Sequence, residues 1–274
     1  MKTLRYRSRG KEVNFLEQIL VKLGYQVFVS NYFGLDTDKS VRDFQQKNKL
    51  VVDGIVGLKT WTKLIAAEQA TLESLDKLLS EQDLIDFANK YTIELAAIKA
   101  VNEVESNGKG FLIDGRPVIL FEGHIFWKQL QKVGLNPTDY QNEVTADVLY
   151  QFWVKSHYKG GAGEYDRLEK AAGISDLPAV RNAAYASASW GSFQIMGFHY
   201  KSLGYDSIDS FVSDMYEDEG KHLDAFGKFL EVNNLIRHLK NKDWEAFAKG
   251  YNGPGYKKNK YDTKLRDAYN KYKN

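Results

Sequence analysis

Two glutamates set two residues apart, Glu103 and Glu105, close the stretch Ile98-Lys-Ala-Val101-Asn-Glu-Val-Glu105-Ser106-Asn-Gly-Lys-Gly-Phe111. On a helix centred on Val101, at about 100° per residue, Glu94, Ala97, Ile98, Val104, Glu105 and Gly108 fall on or near the apolar face, and Glu103 points almost the opposite way. Glu103 is therefore expected in water. Glu105 is expected at the helix end on the apolar side, partly dry, where its ionised form is disfavoured and its pKa rises to ~6, the setting of a general acid. The competing reading makes Glu105 an ordinary helix-end residue, solvated or paired with Lys109. A second carboxylate, Glu122, ends a strand-like run and directly precedes a helix. It either joins Glu105 in acid–base chemistry or is simply an acid at a helix N-terminus, where negative charge is favoured.

Other chemistries find no residues. The chain has no cysteine, so thiol catalysis, cysteine metal cages and disulfides are excluded. Its five histidines, at 124, 157, 199, 222 and 238, show neither His-x-x-x-His nor His-Glu-x-x-His spacing, and no metal is assigned. There is no Gly-x-Ser-x-Gly elbow. Gly160-Gly-Ala-Gly163 lacks the Gly-Lys-Ser/Thr of a phosphate loop. Carboxylate acid–base chemistry without a cofactor remains, the usual means of cleaving glycosidic bonds. A net charge of +2 argues against a dedicated nucleic-acid binder. The basic N-terminus is followed by no apolar core, so no secretory signal is read there, and no apolar run approaches the ~20 residues of a membrane span.

The elements that must position these groups follow from spacing. The 274 residues, 43% apolar, suffice for two domains. Residues 1–67 read as three short helices: Glu12 to Leu23, stopped by Gly24; a second capped by Asp36 or Thr37; and a third bearing Leu58, Trp61, Leu64 and Ile65. Phe33-Gly-Leu-Asp-Thr37 and Val56-Gly-Leu-Lys-Thr60 echo each other, suggesting two similar loops beside one groove. Residues 68–80 read as a helical linker. Ser80-x-x-Asp83 is a capping box opening a helix to Lys90, and Thr92 is expected to cap the helix that ends at Glu105. Phe111–Ile113 and Pro117–Phe121 are strand-like and joined by Asp114-Gly115-Arg116, a hairpin signal. A helix from Gly123 to Leu130 follows, then one from Glu164 to Ala172. Ser187-Ala-Ser-Trp190-Gly191-Ser-Phe193-Gln194 either lines a cleft, with Gln194 offering donor and acceptor to a sugar amide, or starts a core helix. Helices from Ser207 to about Asn233 and from Asn234 to Gly250 precede the break Tyr251-Asn252-Gly253-Pro254-Gly255 and a basic C-terminal helix.

Residues 1–67 resemble the peptidoglycan-binding module of cell-wall hydrolases, through Gly24-Tyr25, Phe33-Gly34, Thr37, Val41, Phe44-Gln45, Leu50, Asp53-Gly54-Ile-Val-Gly57 and Thr60-Trp61. The glycine usual ahead of the first loop is replaced by the aromatic-rich run Tyr25–Tyr32. Residues 81–274 resemble the N-acetylmuramidases of phage endolysins, of the lysozyme-like superfamily. Four stretches carry this resemblance: Val104-Glu105-Ser106-x-Gly108-x-Gly110-Phe111; Asp114-Gly-Arg-Pro117-x-Ile-Leu-Phe-Glu122-x-His124; Ser187-Ala-Ser-Trp190-Gly191-x-Phe193-Gln194-Ile-Met-Gly197; and Tyr251-Asn252-Gly253. Ser192 stands where many relatives carry an apolar residue. The implied fold is mainly α: a three-helix wall-binding domain, then a lysozyme-like α+β domain with one small β-hairpin sheet. The resemblance implies Glu105 as general acid and Glu122 as a second catalytic or positioning acid. Substrate binding would fall to Ser106, Trp190, Gln194, Tyr251 and Asn252, and wall binding to Tyr32, Phe33, Asp53, Thr60 and Trp61. The implied protein is a monomer that cleaves the β-1,4 bond between N-acetylmuramic acid and N-acetylglucosamine in peptidoglycan. It would be made in the host cytoplasm without a signal peptide and reach the wall after holin-assisted release. A lytic transglycosylase and a non-catalytic wall-binding phage protein are the alternatives.

Overall fold

The computed structural model describes residues 2–106, 110–112 and 114–273. Gly108 and Lys109, expected at the helix end, and Ile113, expected in a strand, lie outside the described residues. The chain forms two compact units, Met1–Asp76 and Lys77–Asn274.

The first unit holds α1 (Lys11–Lys22), α2 (Leu35–Lys47) and α3 (Leu58–Asp76). Their apolar stripes meet in one core: Val13, Leu16, Ile19 and Leu20 pack with Phe33, Val41, Phe44, Val56, Trp61 and Leu64. α2 differs from expectation. Gly34 is its N-cap and no side chain caps it, so Asp36 and Thr37 lie within its first turn. Thr37 is drawn inward instead: it is buried and donates to the fully buried Glu17 carboxylate at 2.8 Å, which also accepts from the Ser30 backbone. A buried carboxylate needs such donors. α3 is long rather than short, since no glycine or proline interrupts it before Asp76. In the echoed loops Phe33 and Val56 plug the core, while Leu35 and Leu58 stay 63% and 83% exposed.

In the second unit Ser80 and Asp83 form the expected reciprocal cap of α4 (Glu81–Tyr91). Thr92 departs from expectation. It adopts a left-handed φ of 52° and closes α4 rather than opening the next helix. α5 (Leu95–Val101) has no side-chain cap, because the Glu94 carboxylate is taken by Tyr269 and Lys242. α5 buries Ala97, Ile98 and Val101 and continues as a wider π turn over Asn102–Ser106. β1 (Ile119–Phe121) is also a correction. The Asp114-Gly115 turn forms, with Gly115 at φ 80°, and Phe111 bridges Pro117. Yet β1 pairs antiparallel not with Phe111 or Leu112 but with β2 (Ala188–Trp190), Ile119 opposite Trp190 and Phe121 opposite Ala188. β2 pairs in turn with β3 (Ile195–Met196). α6 (Gly123–Lys132), α7 (Gly163–Ala172) and α8 (Pro178–Ala186) surround this sheet. The expected helix from Ser207 is two, α9 (Ile208–Glu217) and α10 (Glu219–Val232), because Asp218 turns extended and caps α10 through the Lys221 N–H. The next is likewise split into α11 (Ile236–Lys240) and α12 (Trp244–Asn252), before α13 (Tyr261–Lys273), which packs on α5.

At the end of β1 lies a fully buried ion pair, Glu164 with Arg167, 2.8 Å apart on α7. Arg167 also donates to the Phe121 carbonyl and the Tyr150 hydroxyl. Glu164 accepts from the backbone N–H groups of Phe121, Lys159 and Gly160. Removing one partner strands the other charge. Arg167→Ala is expected to lower unfolding free energy by about 3–5 kcal/mol, read from the urea midpoint. Lys170→Ala, which breaks only the half-exposed 2.5 Å pair with Asp147, is expected to cost less than ~1 kcal/mol.

Candidate active site

Glu105 rides the π turn that ends α5, at the wall of a cavity of about 310 Å³. Gln194, Met196, His199, Tyr251, Asn252 and Tyr261 line the same cavity. The local sequence explains this placement. α5 is apolar on the buried face, so its last turn carries Glu105 inward and leaves Glu103 outside. Glu103 is exposed and bound by Lys271 at 2.7 Å and Tyr272, which lower its pKa. Glu105 moves the opposite way. Burial lifts its carboxyl from the ordinary 4.5 to about 7, against smaller opposing effects of the Asn252 amide and the Lys264 charge.

Asn252 is the last residue of α12 and donates to Glu105 Oε1 at 3.0 Å. Tyr251 donates its hydroxyl to the Phe193 carbonyl at 2.6 Å and packs its ring on Phe226, Phe229 and Phe247. It thereby ties α12 to the turn between β2 and β3. Gln194 occupies that turn at a left-handed φ of 49°. The residue is exposed and lines the cavity, and its amide is also engaged within the turn. The carbonyl accepts from Ser189 at 2.7 Å, and the NH₂ donates to the Gly191 and Val118 carbonyls. Gln194 closes the turn and shapes the cavity wall.

Trp190 does not line the cleft. It is 1% exposed, donates its indole N–H to the Tyr185 carbonyl and stacks on Tyr185, because β2 is buried on both faces. Ser106 is buried and turns its hydroxyl back to the Asn102 carbonyl at 2.6 Å. Glu122 is apart from the Glu105 cavity, at the other end of β1 from the Val118 carbonyl that Gln194 reaches. It occupies the N-cap position of α6 but makes no capping bond. Its carboxylate instead accepts from the Tyr158 hydroxyl, and His124 Nδ1 lies 3.2 Å away without hydrogen-bond alignment. Burial, outweighing the attraction of Glu122, lowers the His124 pKa.

In the first unit Phe33 and Trp61 are core residues, and Trp61 donates to the Lys2 carbonyl. They present nothing to a ligand. Tyr32 is half-buried beneath Arg9. Asp53 and Thr60 border a shallow cavity of about 370 Å³ with Leu50, Ile55 and Leu58. His199 and Tyr261 line the Glu105 cavity without any spacing signal of their own, and Phe229, whose helical spacing marks it as core, lines it too. His199 and Tyr261 do follow closely on the Gln-Ile-Met-Gly and Tyr-Asn-Gly stretches, which was the available signal. Among the described residues no group of three or more His, Asp or Glu side chains gathers to hold a metal ion. No described helix is long and apolar enough to cross a membrane.

A partly desolvated carboxyl at a cavity wall, with one amide to orient it, can give up a proton near neutral pH, which is what glycosidic cleavage demands of its acid. The molecule is a mainly helical glycoside hydrolase with a separate small helical domain. The N-acetylmuramidase family model matches residues 94–273, and the peptidoglycan-binding-domain model matches residues 9–64. The crystal structure of the Burkholderia AP3 phage endolysin is similar over the whole length: 39% identity, 99% of each chain covered and a TM-score of 0.66. The chain belongs to the N-acetylmuramidase family, and peptidoglycan is its substrate.

Because folding raises the Glu105 pKa above its unfolded value, the native state binds that proton more tightly, and the site costs stability as pH rises from about 4.5 through 7. Glu105→Gln is therefore expected to stabilise the protein at pH 8, by on the order of 1–3 kcal/mol, and to leave stability nearly unchanged at pH 4. Thermal unfolding at the two pH values checks it. An equal change at both would trace the effect to packing rather than charge.

Proposed function

We propose that this chain is an endolysin whose Glu105 is the general acid for cleavage of the β-1,4 bond between N-acetylmuramic acid and N-acetylglucosamine. The observation that carries the reading is the Glu105 carboxyl itself, set in the cavity wall, oriented by Asn252 and lifted by partial burial to about 7. Near neutral pH a substantial fraction is protonated. Glu105 donates to the leaving oxygen as positive charge grows at the sugar carbon. The carboxylate left behind keeps the Asn252 N–H, which steadies the new charge. Tyr251 acts as a strut, holding α12 and the β2–β3 turn on either side of the cavity. Glu122, which accepts the Tyr158 hydroxyl, activates water or steadies the charged sugar carbon. The small domain at residues 9–64 holds the enzyme on the wall, and Asp53 and Thr60 border its binding surface. Holin-assisted release brings a monomeric enzyme to the wall.

One observation favours a second reading. Glu122 does not line the Glu105 cavity, so a single acid with attack by the sugar's own 6-hydroxyl, the lytic transglycosylase route, fits the same geometry. Mass spectrometry of borohydride-reduced fragments separates the two. Reduced muramic acid ends are expected; anhydro-muramic ends would install the transglycosylase reading. Glu105→Gln is expected to lower lysis by about 10²–10⁴-fold while wall binding stays intact. Residual lysis above a few percent would move the acid role to another residue.

A further inference from the structure

Of the five tryptophans, Trp61, Trp127, Trp190 and Trp244 are buried, whereas Trp153 is 59% exposed and its neighbour Phe152 74% exposed. Adjacent large aromatics held in water forgo burial that a fold would otherwise use, so such a patch marks a contact surface. This one is held firmly. The loop that carries it leaves the core at Tyr150, which is buried and accepts from Arg167. It returns at Tyr158, whose ring lies under the same guanidinium, 5.2 Å from its centroid. Glu164 then takes the Lys159 and Gly160 N–H groups at 2.6 and 2.9 Å. Both ends of the loop are pinned by one buried ion pair, and its two large aromatics are left exposed among polar neighbours.

These aromatics adjoin chemistry. Trp153 and Tyr158 are in ring contact, with centroids 6.3 Å apart and planes tilted by 45°, and the Tyr158 hydroxyl donates to Glu122. An exposed indole linked to a carboxylate through one phenol suits a pyranose, which has an apolar C–H face and hydroxyl groups at its edge. We propose that Trp153, with Phe152 beside it, is a stacking platform for a sugar ring of the glycan strand on the Glu122 side of the site, and that Tyr158 is a positioning residue joining the platform to Glu122. The inference rests on the glycan-cleaving reading and adds to it a subsite apart from the Glu105 cavity. A fixed aromatic loses little conformational freedom on binding, so it supplies contact area at low entropic cost.

The test uses the full chain carrying Glu105→Gln, so that binding is read without turnover. The probe is the β-1,4-linked tetramer of N-acetylglucosamine. Trp153 dominates iodide-accessible fluorescence, since the other four tryptophans are buried. Saturable protection from iodide by the tetramer is expected. Calorimetry is expected to show about tenfold weaker binding for Trp153→Ala and less than about threefold for Trp153→Tyr, which keeps a ring. In the active chain Tyr158→Phe is expected to keep tetramer affinity while lowering kcat and shifting the pH profile; an unchanged pH profile would demote Tyr158 to a packing role. No protection, with equal affinity for Trp153→Ala, would overturn the platform. So would sedimentation showing a dimer that Trp153→Ala dissolves, because the patch would then be a contact between copies. If the wild-type chain releases no wall fragments, the cleavage reading fails, and the binding measurements still decide the platform.

Discussion

The Glu164–Arg167 pair is the constraint on which one side of the site depends. Neither charge meets solvent. Taking both out of water is costly, and mutual attraction offsets that cost only when the remaining hydrogen-bonding capacity is met. Here it largely is: Phe121 through both its backbone groups, Tyr150, Asp147, Lys159 and Gly160 all join. Of the polar atoms of this pair, Arg167 Nε is the one without a hydrogen-bond partner among the described residues. An apolar pair of similar volume would fill this space, but it would not bring a strand end, two loops and a helix to one point. The directionality of the guanidinium fork does that.

A second buried carboxylate works in the same way on the other side of the sheet. Glu219, at the start of α10, accepts from the Gly110 and Leu79 N–H groups at 2.8 Å each. A Cβ at residue 110 would collide with the Glu219 carboxylate and the Ser192 hydroxyl, so any side chain there would have to displace these hydrogen-bonded groups. Ser192 in turn meets His222 Nδ1 through both its N–H and its hydroxyl, while His222 Nε2 faces the Met215 carbonyl at 2.8 Å. The ring therefore carries its proton on Nε2, and burial keeps its pKa low. The backbone N–H of residue 192 already gives the buried imidazole nitrogen a donor, and the serine hydroxyl adds a second polar contact at 3.1 Å.

The parts of this protein that were legible in its sequence are those governed by neighbours along the chain. Apolar spacing marks α1, the Ser80–Asp83 capping box opens α4, the glycine turn at 160–163 precedes α7, and the opposed orientations of Glu103 and Glu105 follow from helix angles. What could not be read depends on residues far apart. β1 pairs with residues 188–190 because the core formed by α6, α7 and α8 brings them together, and no local pattern records that choice. Thr92 has the residue type of an N-cap but takes a left-handed turn, and Thr37 was claimed by the buried Glu17 across the core. Trp190, Phe33 and Trp61 have the residue types of a sugar site and the burial of a core, and sequence alone does not separate these two uses of an aromatic ring. Trp153, which is exposed, carried no periodic signal because it sits in a loop.

The contrast between the two acidic residues follows from what supports each. Glu105 is desolvated by elements that pack as layers, α5 against α13 and α12 beside the β2–β3 turn, and it has one neutral donor in Asn252. A single amide compensates burial only in part, so the proton is retained near neutrality. Glu122 meets a phenol and lies beside an imidazole, in a frame set by the Glu164–Arg167 pair. A low local dielectric strengthens every remaining interaction, and it also makes any misplacement expensive. Partial desolvation at Glu105 is therefore useful only if the wall opposite cannot yield. The Tyr251 hydroxyl bond to the Phe193 carbonyl, seated on three phenylalanine rings, is what denies it that freedom.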